Sequence, residues 1–576
     1  MEVGRGGYTV PGAGSHAGAS GYCWAMSATP AYEGAPSARV KKLVTELVIA
    51  FMLAFVFRGF VIEGFVIPTG SMAPTLLGKH VRFQSPHNGY EWTTGPWEYR
   101  DRSRQVPFGL QGTREPMSAV DPMTGLGLPR SETMDRRLSS GDRVFVLKYL
   151  PLLHRPARWD VVVFKNPGTH QNYIKRLVGL PGEQLAIVDG DIFTRPFVEG
   201  ETARRGWDAW DGEGWTIARK DERTQRAMLQ DIVNSRYAPI RVDPGYRSAW
   251  SAGAGWDGVR SGSSYTYSGS GETALEWSGA VPLTDRNAYN QSHAREGLRQ
   301  SDEPGSARHD PFWARDLALA SEFELGGDNM VLRPEISVRG MDLRAEVDLG
   351  NGAVRLQRRS GDGAPWETLD ESRIAARAQG SVVSVEFWHM DQALWLFVDG
   401  ELVCGGAERG AYRMTPLGTI LATTDATRDE LENAGKFGDG VTEPGVLGNR
   451  TLYTEPSVRW TMSGGGFTMH NVRVRRDIHY RVRPRDRATR GGHPDFFPTL
   501  GDEHYFMCGD NSAFSLDSRL WTDDMITPWV RANIDDTPGV VNEDLIVGKA
   551  FVVYWPSMLH DGVPFAPDIG RVRWIW

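Results

Sequence analysis

Three stretches of this 576-residue chain hold side chains able to do chemistry. The first surrounds a serine, in the run Ile67-Pro68-Thr69-Gly70-Ser71-Met72-Ala73-Pro74-Thr75-Leu76. Pro68 and Pro74 stiffen the backbone on either side, and Gly70 permits an unusual φ just before Ser71. Such a turn can hold a hydroxyl and a backbone N–H in fixed positions, although Thr-Gly-Ser is also common in ordinary turns. The second stretch runs from Asn172 through Lys175 and Arg176 to Glu183. If Tyr173 to Val178 is a strand, Lys175 and Arg176 point to opposite faces and one is directed inward. A buried cation needs a reason to exist. Lysine is the one able to lose its charge, because desolvation lowers its pKa while arginine stays protonated. The plain alternative is a half-exposed strand with two solvated charges. The third stretch, Cys508-Gly509-Asp510-Asn511-Ser512-Ala513-Phe514-Ser515-Leu516-Asp517-Ser518-Arg519, is dense in hydroxyls and carboxylates. By itself it reads as a hydrogen-bonded Asx-type loop with an Asp517–Arg519 pair.

Other chemistries lack their residues. There is no Gly-x-Ser-x-Gly elbow, no phosphate-binding Gly-x-x-x-x-Gly-Lys-Ser/Thr loop and no His-Glu-x-x-His helix, and the 13 histidines are scattered without ligand spacing. Cys23, Cys404 and Cys508 exclude a disulfide-dense scaffold and a four-cysteine zinc site, and Cys404 and Cys508 are expected to stay unpaired. Neither a metal nor an organic cofactor is expected. Lys plus Arg number 64 against 72 Asp plus Glu, a net charge of −8, which argues against a dedicated nucleic-acid binder.

The elements that must position these residues follow from composition and period. With 40% hydrophobic and 24% charged residues the chain can bury cores, and 66 Gly with 34 Pro favour turn-rich β structure. Residues 1–38, rich in Gly, Ala, Ser and Pro, read as a flexible tail. A membrane anchor is expected over 39–63: a helix from Leu43 to Ile62 would be about 30 Å long, enough to cross a bilayer core. A buried core helix is the alternative. Arg39, Lys41 and Lys42 crowd its N-terminal side, so residues 1–40 are expected in the cytoplasm and the remainder outside. Strands are expected at Arg143–Tyr149, Val161–Lys165, Gln184–Val188 and Ala550–Trp555, with an irregular insertion over 84–138. Asp189-Gly190 and Asp399-Gly400 each mark a hairpin. Residues 195–490 have a different texture: polar to about residue 310, then alternating segments such as Val382–Trp388 and Leu394–Val398 that suggest a β-sandwich.

The three stretches, in this order after an N-terminal anchor, resemble the bacterial type I signal peptidases, the serine/lysine leader peptidases. The likeness also takes in Ser140-Gly141-Asp142-Arg143-Val144-Phe145-Val146 and Arg158-Trp159-Asp160-Val161-Val162-Val163-Phe164, covering about a third of the chain. The resemblance implies a mostly β catalytic fold, in two parts over 64–194 and 491–576, behind one transmembrane helix. It implies Ser71 as nucleophile, Lys175 as general base, and the Ser71 N–H with the Thr69 hydroxyl as oxyanion donors. It further implies Ser515 as the hydroxyl that orients the lysine amine, with Asp510, Asp517 and Arg519 as structural residues near the site. The expected substrates are secretory precursors bearing signal peptides, cut at the outer face of the bacterial plasma membrane. The segment Phe60 to Val66 is expected either to rest on lipid or to join the core.

Residues 195–490 depart from the short members of that family. From Phe387-Trp388 to Val403 they resemble concanavalin-like or laminin-G-like jelly rolls, which admits a cell-envelope glycan as a partner or a sandwich that only shapes substrate access. Two further readings compete with a working peptidase. One is a catalytically silent envelope or glycan-binding protein that kept the scaffold, against which the intact Ser71, Lys175 and Ser515 argue. The other is a related self-cleaving serine/lysine regulator, against which the anchor argues.

Overall fold

The computed structural model describes residues 36–95, 119–129, 138–148, 155–197, 206–241, 243–293, 311–361, 363–433, 447, 450–482, 489–557 and 567–576. The expected tail and much of the expected 84–138 insertion lie outside them.

One helix spans Pro36–Phe60, and its residues up to Arg58 belong to a unit separate from the rest of the chain. Its Val40–Phe60 portion is long and apolar enough to cross a membrane. Its apolar side chains are exposed along its length, Phe51 at 57% and Phe55 at 68%. The helix stops two residues short of the expected Ile62. Ile62–Val66 is instead a strand, paired antiparallel with Arg143–Leu147 from Ile62↔Leu147 to Val66↔Arg143. Backbone groups that a longer helix would satisfy internally are satisfied here by the neighbouring strand.

Everything from residue 59 onward forms the second unit. Its first sheet is antiparallel and runs Ile62–Val66, Arg143–Leu147, Ile546–Trp555, Val161–Lys165, Asn172–Gly179, His504–Cys508, Val541–Asn542, with Arg573–Trp574 beside Ile546–Trp555. Segments from both ends of the chain therefore build one sheet. Ile67, Met72, Leu76, Val144, Val146, Val161, Val163, Ala550 and Val553 are all buried in one cluster on it, which locks the serine segment to the strands. Glu183–Val188 and Asp191–Pro196 form the expected hairpin, with Asp189 at φ 53° and Gly190 at φ 90°. Positive φ at both central residues is what a two-residue hairpin turn requires. The Asp399-Gly400 turn has the same form, φ 52° and 84°, between Ala393–Val398 and Glu401–Gly405. Within the expected irregular insertion, Glu91–Thr94 pairs with His80–Gln84.

Two further sheets, of eight and seven strands, face each other across a core that includes Leu319, Phe323, Leu332, Ile336, Leu343, Phe387, Trp460 and Met469, each 0% exposed. Alternation produces this: in Met341–Asp348 every second residue from Leu343 is buried. The strands begin well before residue 310. Gln230–Asn234, Trp250–Ala252, Ser264–Tyr267 and Thr273–Trp277 all join these sheets. Their Gly/Ser-rich surroundings hide short strands, three of which pair with Phe467–Arg476 or Ser457–Ser463 far along the chain, while Trp250–Ala252 pairs with Thr273–Trp277.

Candidate active site

Ser71 sits in a single turn, Gly70–Met72, directly after the first strand and Ile67. That turn is clamped by Asp142. Its backbone exchanges hydrogen bonds with the segment (Ile67 N to Asp142 O, 2.9 Å; Asp142 N to Leu77 O, 2.8 Å), and its carboxylate accepts from Leu77 N at 2.8 Å. Gly141 is needed here because a Cβ would lie 1.8 Å from the Ile67 carbonyl oxygen.

Lys175 projects from the strand Asn172–Gly179, and its Nζ lies 2.6 Å from Ser71 Oγ. Nζ also donates to the Ile174 carbonyl at 3.2 Å. The side chain is 4% exposed. Burial lowers its pKa from 10.5 to about 8; the carboxylates of Asp517 and Asp510 pull it up and Arg519 pushes it down. Desolvation is the dominant cause, as expected for an ammonium removed from water with no carboxylate in contact.

Alternation along the strand led to the expectation that one of Lys175 and Arg176 would face inward. Both do, and Arg176 is 0% exposed. The strand lies between Val161–Lys165 and His504–Cys508 and is covered on both faces, so neither parity is solvated. Arg176 is balanced by a two-pronged contact with Asp510 (2.8 and 2.7 Å) and donates to the carbonyls of Trp159 and Trp576. Its pKa is raised, since the Asp510 carboxylate outweighs the cost of burial. The two adjacent cations are thus treated in opposite ways. One has a dedicated counter-ion and the other has a serine.

The structure brings the remaining expected residues to the same place. Asp510 also accepts from the Thr75 hydroxyl at 2.6 Å, tying the loop 508–519 to the serine segment. Asp517 and Arg519 pair through two contacts, 2.9 and 2.7 Å, and are completely buried or nearly so. The Asp517 carboxyl is held below the usual range by the Arg519 guanidinium, the Gly509 N–H and the Ser515 hydroxyl, against its burial. Ser515 is 0% exposed, and its hydroxyl hydrogen-bonds the Asp517 carboxylate. Thr69 is extended at the start of the serine turn, exposed, and its hydroxyl caps no N–H of that turn.

Sequence reasoning missed several contributors. Asn511 donates from its backbone N to Ser71 O (3.0 Å) and from Nδ2 to Gly70 O (2.9 Å). From the polar stretch before residue 310, Asn287 reaches the Ala73 carbonyl, Tyr289 the Lys79 carbonyl and Asn290 the Asn511 amide. A second missed cluster ties the 183–196 hairpin to the sandwich. Asp189 accepts from Arg315 and Arg339, Asp191 from Arg339, and Lys220 bridges Asp391 and Asp477. Asp191, Asp316 and Asp391 converge closely enough to hold a metal ion. Arg339 and Lys220, each 2.6 Å from one of these carboxylates, already supply the positive charge there. Cys404 and Cys508 are free and buried.

Residues 127–204 and 473–555 match the family described as signal peptidase, peptidase S26. The match falls in two segments separated by the inserted sheets. The matched segments contain Lys175 and the loop 508–519, while Ser71 precedes them. A protein named Signal peptidase I from Pseudomonas aeruginosa is 35% identical over 133 residues, covering 23% of this chain and 38% of that protein. Another of that name, from Rickettsia prowazekii, is 26% identical over 155 residues, covering 27% of this chain and 43% of its own. The chain therefore spans less than half the length of these relatives. Among solved structures, carbohydrate binding module CBM66 from Bacillus subtilis aligns with 40% of this chain and 96% of its own at 8% identity, with a TM-score of 0.22.

Proposed function

We propose that this chain is a membrane-anchored serine endopeptidase that removes signal peptides from secretory precursors, with Ser71 as nucleophile and Lys175 as general base. The observation that carries the reading is the 2.6 Å approach of the buried Lys175 Nζ to Ser71 Oγ. As an ammonium, Lys175 donates to the serine. As a neutral amine it accepts the Ser71 proton while Oγ bonds to the scissile carbonyl carbon. The amine then passes that proton to the leaving nitrogen as the C–N bond breaks. Water, deprotonated by the same amine, releases the acyl group and restores Ser71. The Ser71 N–H and the uncommitted Thr69 hydroxyl serve the oxyanion. Asp510, Asp517, Arg519 and Ser515 hold the lysine's surroundings in place.

In this reading Pro36–Phe60 crosses the bacterial plasma membrane with its N-terminus in the cytoplasm and the peptidase domain outside. Val66 (55% exposed), Val572 (48%) and Trp574 (59%) present apolar surface suited to lipid. On the sandwich, a cleft of about 770 Å³ lined by the partly buried Trp256 with Arg247, Asp257 and Arg260 offers ring surface and hydrogen-bonding groups to a cell-envelope glycan. A glycan array with the full chain tests that partner; no bound glycan would leave the sandwich with a purely structural part.

The direct test of the peptidase is incubation of the full chain, reconstituted in vesicles, with a signal-peptide-bearing precursor. Cleavage is expected from the wild type and none from Lys175→Ala or Lys175→Arg. Full cleavage by either variant would exclude lysine as the base. Glycan binding without processing of any precursor would favour the silent envelope protein instead.

A further inference from the structure

The stretch 195–310 carries no periodic signal, yet its short turn Ala288–His293 lies against Gly70, the residue before the serine. Four contacts make the junction. The Tyr289 ring covers Gly70 so closely that a Cβ there would meet it at 2.0 Å. The Tyr289 hydroxyl donates to the Lys79 carbonyl. Asn287 Nδ2 donates to the Ala73 carbonyl at 3.0 Å. Asn290 and Asn511 form a reciprocal amide pair, each Nδ2 donating to the other's Oδ1 at 2.8 Å. The turn is rooted firmly: Asp285, two residues before Asn287, is paired with Arg481, whose backbone N–H is bound by the Ser512 hydroxyl at 2.7 Å.

We propose that Asn290 is a positioning residue for the nucleophile turn, acting through Asn511 on the Gly70–Ser71 peptide. The argument rests on the planarity of that peptide. Asn511 Nδ2 holds the Gly70 carbonyl and Asn511 N holds the Ser71 carbonyl. The Gly70 C=O and the Ser71 N–H belong to one rigid plane, so fixing the carbonyl fixes the direction of the N–H. Asn511 does this only in one of its two amide orientations. Turned over, its Oδ1 would face the Gly70 oxygen and repel it. Asn290 braces the working orientation, because it accepts from Asn511 Nδ2 and donates to Asn511 Oδ1, so turning Asn511 alone would set like groups face to face. The inserted chain is then a part of the active site rather than an appended module. This inference rests on the proposed use of the Ser71 N–H at the oxyanion.

The test compares wild type, Asn290→Ala and the nearly isosteric Asn290→Asp in precursor cleavage by the full chain. An N–H aimed at the oxyanion matters only in the transition state, so kcat should fall about tenfold in N290A with KM within about twofold. N290D should fall further, since a carboxylate only accepts and repels Asn511 Oδ1. A purely space-filling role predicts the reverse, with N290D near wild type, and that result would overturn the proposal. Crystal structures of both variants supply a second readout, in which Asn511 is expected to turn or withdraw from the Gly70 carbonyl. An unmoved Asn511 amide overturns the proposal whatever the activity. If the wild type itself cleaves no precursor, the peptidase reading fails, and the crystal structures still decide the role of Asn290.

Discussion

Titrating cleavage from about pH 5.5 to 10 isolates the contribution of Lys175 burial. With its pKa lowered to about 8, roughly 9% of the amine is neutral at pH 7. An unburied lysine at 10.5 would be neutral in only about 0.03% of molecules, so desolvation raises the working fraction about 300-fold. kcat/KM should therefore rise about tenfold per pH unit below 8 and level off above it. The same displacement has a stability counterpart with a definite sign. Between about pH 8 and 10.5 the unfolded chain binds a proton at Lys175 that the folded chain does not, so folding stability rises with pH across that window. Below it the buried cation costs about 3 kcal/mol. Lys175→Met should abolish cleavage yet gain stability at pH 7, and that advantage should fade as pH approaches 10.5. Kinetics on a fluorogenic precursor peptide and urea denaturation over the same pH range measure both arms. A flat rate profile, a kinetic midpoint near 10, or a pH-independent stability difference between wild type and variant would refute the reasoning.

Other perturbations follow from the same geometry. Asp510→Ala leaves the wholly buried Arg176 without its counter-ion and should cost about 3–5 kcal/mol in chemical denaturation. Thr69→Val removes an exposed hydroxyl that makes no cap, so kcat should drop on the order of 100-fold while the melting temperature holds. Gly70→Ala drives a methyl into the Tyr289 ring and should destabilise the chain by about 1–3 kcal/mol and suppress cleavage. Adding Tyr289→Ala should return part of the lost stability, read from the same melts, because the clash and the ring disappear together.

Local chemistry left clear marks in the sequence, and long-range chemistry did not. The two Asp-Gly hairpins were legible because a turn with positive φ at two successive residues restricts which amino acids can stand there. The serine turn was marked by Pro68 and Pro74, whereas Gly70, expected for an unusual φ, has no positive φ and is required instead by the Tyr289 ring that lies against it. Asn290 was not legible: it lies in a short turn without period, and its partner Asn511 is separated from it by 221 residues. No window of local pattern spans such a distance. Ser264–Tyr267 and Thr273–Trp277 were hidden for the same reason, since their partners follow the whole middle of the sandwich.

Lys175 and Arg176 show where pattern gives way to chemistry. Alternation assumes that one face of a strand meets water, and a strand with a neighbour on each side and a core on each face escapes that assumption. Once both cations are buried, their position no longer separates them and their proton affinity does. An arginine cannot shed its proton, so it must bring a counter-ion inside, which accounts for the two-pronged contact of Arg176 with Asp510. A lysine can remain in the same dry interior without a carboxylate in contact by becoming neutral part of the time. Exchanging the two residues would therefore set a permanent charge against Ser71 and leave Asp510 facing a weaker partner. The doubly exchanged chain should be inactive at every pH even where it folds, because no base would stand beside the serine.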